Sequence, residues 1–190
     1  PKTRDYGGMK LTLYLFIGSV VALVGVLAIY LGSGLQTFDL LALEQAGFPI
    51  EFQRLWFPFV FFGFAVLGAI FPFHSWAPDG HVAAPTAISM LLAGVEMKVG
   101  VFAALRIAIT LLPDGARIYA PLILVLATIN VVYGAFIAMI QSDFKYVIGF
   151  SSVSHMGLVL IGMATLTPNG LMGAGVQMFS HGIMTALFFA

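Results

Sequence analysis

Long apolar runs alternate with short polar stretches along the chain, and this pattern predicts membrane-spanning helices. A helix needs about 20 mostly apolar residues to cross the hydrocarbon core of a bilayer. These runs are apolar on every face, whereas a transmembrane β-barrel would show short segments of alternating polarity. We therefore predict an all-α polytopic membrane protein with a single transmembrane domain. The stretches of sufficient length are residues 11–31, 55–73, 85–112, 119–140, 146–166 and 171–190.

The connection between the first two predicted spans, residues 32–54, mixes acidic residues with Leu, Ala and Phe. This composition fits a short amphipathic helix in the membrane interface and, equally well, a plain loop. Alternation of the six spans collects more basic residues at one membrane face, which the positive-inside rule predicts to be cytoplasmic. The residues at that face are Lys2, Arg4, Lys10 and Lys145, against Arg54 and Arg117 at the other.

The amino-acid composition excludes several classes of function. Of the 190 residues, 61% are hydrophobic and 8% are charged, and the 8 basic and 8 acidic residues cancel. A nucleic-acid binder would show a basic patch, so that class is excluded. The chain has no cysteine. Disulfides and Cys-ligated zinc or iron–sulfur centres are therefore excluded, and we expect no cofactor and no redox chemistry in this chain.

A proline-rich segment, FPFHSWAPDGHVAAPT at residues 71–86, interrupts the helical pattern. Its prolines predict that no helix runs straight through it, and Asp79 with Gly80 predicts a turn. Irregular backbone at membrane depth persists only where it is buried in protein or lines a wet cavity, and transporters use such breaks to bind ions. His74 and His81 flank the break. They are candidate proton carriers or interface anchors, and their spacing matches no established metal motif, so no metal site is predicted.

The third predicted span carries two charged residues near its centre, Glu96 and Lys98. Each costs about 2.5–3.5 kcal/mol at mid-bilayer on insertion scales, so such residues usually face a bundle interior or water. Two positions correspond to about 200° of rotation, so the two side chains point to nearly opposite faces. Each is expected to need a partner on another helix. They are candidate members of a proton relay, and the alternative is a structural ion pair between helices.

Two histidines in the last two spans complete the candidate relay. Ser151 and His155 share one helix face, and Gln177, His181 and Thr185 share another, because each set is spaced by four residues. Such faces can hold water between groups that titrate near neutral pH, and the alternative for each residue alone is a structural histidine packed by a hydrogen bond.

Other polar residues are weaker candidates. Lys145, in the motif QSDFKY at a membrane boundary, is a possible proton exit or a snorkelling lysine paired with Asp143. Thr128, Asn130 and Tyr133 in the fourth span are expected to bond across helices or to supplement the relay.

Four segments, in this order, carry a resemblance to a known family: HSWAPDGHVAAPTA, LLAGVEMKVG, QSDFKYVIGFSSVSHMG and QMFSHG. They resemble the antiporter-like membrane subunits of complex I, the subunit M (chain 4) type of NADH-quinone oxidoreductase in particular, over about residues 55–190. The resemblance implies a fragment of a subunit with roughly fourteen helices, whose first span here is about the sixth. The chain begins at Pro1 rather than Met and ends within an apolar run, so we expect further residues at both ends.

The resemblance also implies residue roles. Lys98 is similar to the central lysine of the family, and His155 and His181 are similar to the histidines that link it to the distal half-channel. One position departs from the family pattern, because Leu67 stands where these subunits usually have a second lysine. Either Glu96 and Lys98 replace that lysine functionally, or conduction is altered in this branch.

The function implied is proton translocation in a respiratory quinone-reducing complex, within the bacterial plasma membrane or an organellar membrane. Its expected surroundings are the lipid bilayer and other membrane subunits, while partner subunits bind NADH, quinone, flavin and iron–sulfur clusters. The alternatives are a subunit of a related cation/proton antiporter or membrane-bound hydrogenase, and a scaffold that no longer conducts.

Overall fold

The computed structural model describes residues 2–190, apart from the side chains of Lys2 and Thr3, and contains eight helices in that range. No β-strand occurs in the described part of the chain. Six helices are long and apolar enough to cross a membrane, which confirms the predicted number of spans. The helices are α1 (Lys2–Ser33), α2 (Leu40–Gln45), α3 (Ile50–Leu67), α4 (Trp76–Ala83), α5 (Thr86–Ile109), α6 (Pro113–Met139), α7 (Phe144–Ala164) and α8 (Pro168–Phe189).

Two local predictions differ from the structure. The second span ends at Leu67 rather than at residue 73, because the chain leaves the helix there and passes through a series of turns. The turn predicted at Asp79 and Gly80 is wrong, because both residues lie inside α4. Pro78 is compatible with this helix because it lies in the first turn, where its missing N–H breaks no helical hydrogen bond. Of the two alternatives for residues 32–54, a short helix or a plain loop, the structure shows a short helix, α2, within this connection.

Side-chain caps explain where several helices begin. The carboxylate of Asp143 accepts a hydrogen bond from the backbone N–H of Lys145 at the start of α7, and Thr167 does the same for Gly170 in α8. Helix α6 begins with Pro113, whose fixed φ suits the first helical position. The buried Gln53 of α3 extends this cap, since its side-chain oxygen accepts from the N–H groups of Asp114 at 2.8 Å and Gly115 at 3.1 Å.

The helices pack through small residues. Helix α1 lies against α3 and α4, α7 packs between α6 and α8, and α8 returns to contact α5. A Cβ placed on Gly134 of α6 would lie 2.8 Å from the backbone nitrogen of Ser154, and one on Gly157 of α7 would lie 2.7 Å from the carbonyl oxygen of Ala127. Within a membrane, where lipid is as apolar as the helices, such close backbone approach is a main source of helix association.

The break between α3 and α4 is held by one side-chain amide and an indole. Ala69 has a positive φ of 53°, a strained conformation for a residue other than glycine. Asn130 of α6, fully buried, accepts from the N–H of Phe71 at 2.6 Å and donates to the carbonyl oxygen of Ala69 at 3.3 Å. The indole N–H of Trp76 donates to the Val66 carbonyl at 2.8 Å. These bonds satisfy backbone groups that the interrupted helix leaves free.

Candidate proton-relay site

Helix α5 carries Lys98 in an unusual local geometry. Two of its segments, Leu92–Glu96 and Ala104–Ile109, are π-helical, and Lys98 lies between them. Single π-helical turns within α-helices frequently occur at functional sites. The Lys98 side chain is 8% exposed, and its ammonium group donates a hydrogen bond to the carbonyl oxygen of Ala93. We predicted a partner for Lys98 on another helix, and for this bond the prediction is wrong. The reason is that a helical side chain leans towards the N-terminus and reaches the preceding turn of its own helix.

Glu96 does not neutralise Lys98. The carboxylate is partly exposed, and neither residue takes part in an ion pair among the described side chains. The lack of an ion pair agrees with the helical rotation, which was expected to keep the two side chains from pairing. No hydrogen bond from another helix reaches the Glu96 carboxylate within residues 4–190.

Lys98 lines an open groove of about 760 Å³ between α5 and α8. Most of the lining is apolar, and Lys98 is the charged residue in it. On the α8 side, a Cβ placed on Gly182 would lie 4.0 Å from Cε of Lys98. Since His181 directly precedes Gly182, the lysine lies beside the helix turn that carries this histidine.

His155 of α7 and His181 of α8 lie against one another, with ring centroids 4.9 Å apart. The side-chain nitrogen of Gln177 lies 2.9 Å from Nδ1 of His155. The His181 ring is 1% exposed, and neither of its nitrogens has a hydrogen-bond partner among the protein atoms. A neutral imidazole has one donor and one acceptor nitrogen, so this ring retains full capacity to bind water or pass a proton.

The polar residues expected to accompany His181 one helical turn away, Gln177 and Thr185, form hydrogen bonds with other groups. The Thr185 hydroxyl donates to the backbone carbonyl of His181 at 2.8 Å rather than to the ring. Such bonding to the preceding turn is a common local choice for threonine in a helix. Gln177, expected beside His181, bonds the His155 ring instead. The contact between the two histidines therefore depends on packing of α7 against α8.

Lys145 lies away from this pair. Its ammonium group donates to the carbonyl oxygen of Ala84 at 2.9 Å, while Asp143 accepts from the Lys145 backbone. The predicted ion pair of Asp143 with Lys145 is wrong, because the carboxylate caps the helix. Lys145 instead ties the start of α7 to the end of α4.

The residues of the break are dispersed rather than clustered around an ion. Asp79 accepts from the ammonium group of Lys10 at 2.7 Å and from the Tyr146 hydroxyl at 3.1 Å. His74 packs against the rings of Phe71 and Tyr133. No group of three or more His, Asp or Glu residues with metal-binding geometry is found in the described part of the chain.

Burial lowers the pKa of both histidines of the break, which lie outside the six spans. Burial lowers the pKa of His74, and the charge of Lys10 lowers it further. His81 is fully buried, and burial, followed by the charges of Lys98 and Lys145, lowers its pKa to about 3. Both rings are therefore neutral at physiological pH.

Several contacts had no signal in the sequence. Lys10 and Asp79 are 69 positions apart, and His155 and Gln177 lie on different helices. Leu67 packs at the α3–α5 crossing, where a Cβ on Gly100 would lie 2.5 Å from the Leu67 Cβ. The position that departs from the family pattern thus lies against the helix that carries Lys98.

Comparison with known proteins agrees with these features. The family model described as "NADH:quinone oxidoreductase/Mrp antiporter, TM" matches residues 2–190. The NAD(P)H-quinone oxidoreductase chain 4 3 of Picosynechococcus sp. is 43% identical over 99% of this chain and 34% of its own length. The NADH-quinone oxidoreductase subunit M of Rickettsia bellii is 38% identical over 99% of this chain and 38% of its own.

A solved structure shows the same fold. A chain of the respiratory complex I from Thermus thermophilus with bound NADH superposes with a TM-score of 0.91 and 33% identity, over 97% of this chain and 40% of that one. This chain thus spans about a third of the length of the curated relatives that it matches. On this evidence, it belongs to the transmembrane family of NADH:quinone oxidoreductase and Mrp antiporter subunits.

Proposed function

We propose that this chain is part of a proton-conducting membrane subunit of a quinone-reducing respiratory complex. Protons pass along Lys98, His181 and His155, with Glu96 as a further titrating group on the other face of α5. Reduction of quinone by NADH, and the flavin and iron–sulfur centres that it needs, belong to other subunits. Lys145 is a weaker member of the route, because it bonds to a backbone carbonyl at the end of α4.

One observation carries the proposal: a buried lysine at the middle of a membrane span lines an open groove beside two contacting histidines. A charge at this depth is expensive, and proteins place it there mainly for ion or proton pathways. A buried lysine exchanges its proton readily, because burial and nearby polar groups act in opposite directions on its charged form. The histidine pair offers the adjacent acceptor sites.

The experiment compares two substitutions on the same helix in the full-length protein within its intact complex. Lys98→Ala is expected to lower proton translocation per electron sharply, while the complex assembles at normal abundance. Arg106→Ala is the matched control, since it removes an exposed cation from α5 eight residues later. Normal translocation by Lys98→Ala would contradict the proposal and favour a scaffold.

A second candidate is a subunit of a cation/proton antiporter, because the matching family description includes Mrp antiporters. The same helices would then couple the proton to another cation. Translocation measured with and without Na⁺ separates the two functions: an obligate Na⁺ requirement favours the antiporter, and full activity without Na⁺ favours the proton pump.

A further inference from the structure

Glu96 is a charged residue near the middle of a membrane span, and the described side chains provide no partner for it. Its carboxylate is partly exposed, and it takes part in no ion pair or side-chain hydrogen bond within residues 4–190. An ionisable side chain at this depth almost always faces a bundle interior, a wet cavity or a partner of opposite charge. The surface around Glu96 is therefore incomplete in this part of the subunit.

The flank of α5 that carries Glu96 packs beside the end of α3. Glu96 and Gly100 are four positions apart on an α-helical stretch, so they share one helix face. A Cβ placed on Gly100 would lie 2.5 Å from the Leu67 Cβ and 2.8 Å from the backbone nitrogen of Gly68. The opposite flank, with Lys98, faces α8. Glu96 thus lies at the edge of the α3–α5 contact, away from the groove between α5 and α8.

The basic residues of the described chain do not reach this place. Arg54, near the start of α3, precedes Leu67 by thirteen residues, which is about 20 Å of helix. Arg106 follows Glu96 by ten residues, about 15 Å further along the same helix. The other basic side chains, apart from Lys98, lie near the starts of α1, α6 and α7. A cation that pairs with Glu96 therefore has to come from outside residues 1–190.

A second open groove, between α1 and α3, offers a place for a further helix beside Glu96. Its volume is about 230 Å³. The α1 side of this groove consists of small or apolar residues on one helix face, Ser19, Ala22, Leu23 and Val26. Small residues allow a second helix to approach closely within a membrane. Leu67 lines the same groove and also packs against α5, so a helix in this groove passes beside the Glu96 flank.

We propose that a transmembrane helix of the same subunit, from outside residues 1–190, packs in the groove between α1 and α3 and places a lysine or arginine against Glu96. The chain spans about a third of the length of the curated relatives that it matches, so those proteins contain enough further sequence for several spans. An unpaired charge buried in the membrane is costly, and a cation at the same depth offsets that cost. This pairing is independent of the proton route through Lys98, because it forms whether or not Glu96 also titrates.

A high-resolution map of the full-length subunit in its intact complex tests the pairing directly. The side-chain nitrogen of a lysine or arginine from outside residues 1–190 of the same subunit is expected within about 4 Å of a Glu96 carboxylate oxygen. Lipid, apolar side chains or a neighbouring subunit against this carboxylate would overturn the proposal.

Charge reversal provides a second test in the same complex. Glu96→Lys is expected to lower the abundance of the assembled complex by roughly tenfold or more, because two cations then face one another within the membrane. Glu51→Lys is the matched control, since Glu51 is exposed in the first turn of α3, and abundance is expected to stay within about twofold.

A compensating substitution separates loss of this pair from general misfolding. When the partner cation located in the map is replaced by glutamate in the Glu96→Lys background, abundance is expected to return to within about twofold of the unmodified complex. Equal abundance of Glu96→Lys and Glu51→Lys, or no recovery in the doubly substituted protein, would overturn the pairing. Neither readout measures proton translocation, so the proposed function of Lys98 is tested separately.

Discussion

The rings of His155 and His181 lie 4.9 Å apart although the two residues belong to different helices. Only one of the rings has a side-chain partner, because Gln177 bonds Nδ1 of His155 and leaves His181 without one. The pair is therefore asymmetric. His155 is oriented by an amide, while His181, on the helix turn beside Lys98, has both nitrogens available.

The contact between the two rings leads to a first prediction. His155→Ala and His181→Ala are expected to slow proton translocation by roughly tenfold or more, because each removes a proton-transfer group from an apolar span. Translocation per electron in the intact complex is the measurement. Ser151→Ala is the control, since Ser151 shares the helix face of His155 and makes no hydrogen bond to either ring. Unchanged rates at equal abundance for both histidine variants would contradict the relay.

A second prediction concerns Asn130, which bonds the strained turn after α3 and the Val153 carbonyl of α7 at 3.2 Å. Asn130→Ala is expected to destabilise the protein, with about 1–3 kcal/mol for each buried backbone group left without a partner. Unfolding of the full-length protein in detergent, followed by circular dichroism, measures the effect.

The control for Asn130 is Thr128→Ala on the same helix. The Thr128 hydroxyl is exposed and bonds only the Leu124 carbonyl of its own turn, so a change below about 0.5 kcal/mol is expected. Equal stability of the two variants would show that the amide does not hold the break.

A third prediction compares two helical glycines. Gly134→Ala is expected to cost about 1–3 kcal/mol, because its Cβ would meet the backbone of Ser154 at 2.8 Å and force α6 from α7. Gly173→Ala meets nothing within 4 Å and is expected to stabilise α8 by about 0.5–1 kcal/mol. Opposite shifts in thermal unfolding would confirm the packing of α6 on α7, and a neutral Gly134→Ala would refute it.

A fourth prediction is the charge state of His81. Its pKa is lowered to about 3, first by burial and then by Lys98 and Lys145, so protonation is expected only far below neutral pH. At pH 6 an ordinary histidine is mostly protonated, whereas roughly one His81 ring in a thousand would be. Nitrogen NMR of labelled protein distinguishes the two forms. A majority of imidazolium at pH 6 would show that an acidic group faces the ring.

The sequence predicted the fold well, because hydrophobic length alone defines a membrane span. It failed at the break, where Pro78 in the first turn of α4 permits a helix that proline-rich patterns argue against. It also identified Lys98, His155 and His181 as unusual residues for apolar spans. Hydrogen-bond partners were poorly predicted, since Gln177 and Lys10 reach residues on other helices through packing that no local spacing encodes.

The direction in which the Lys98 side chain points depends on the π-helical segment that precedes it. If Leu92–Glu96 closed into ordinary α-helix with every residue kept, everything after it would turn by about 100° relative to the preceding turn. The ammonium group would then leave the wall beside Gly182. The wide turn thus absorbs one residue and keeps this lysine beside α8, so tightening that turn would move the ammonium group away while every side chain of the relay is still present.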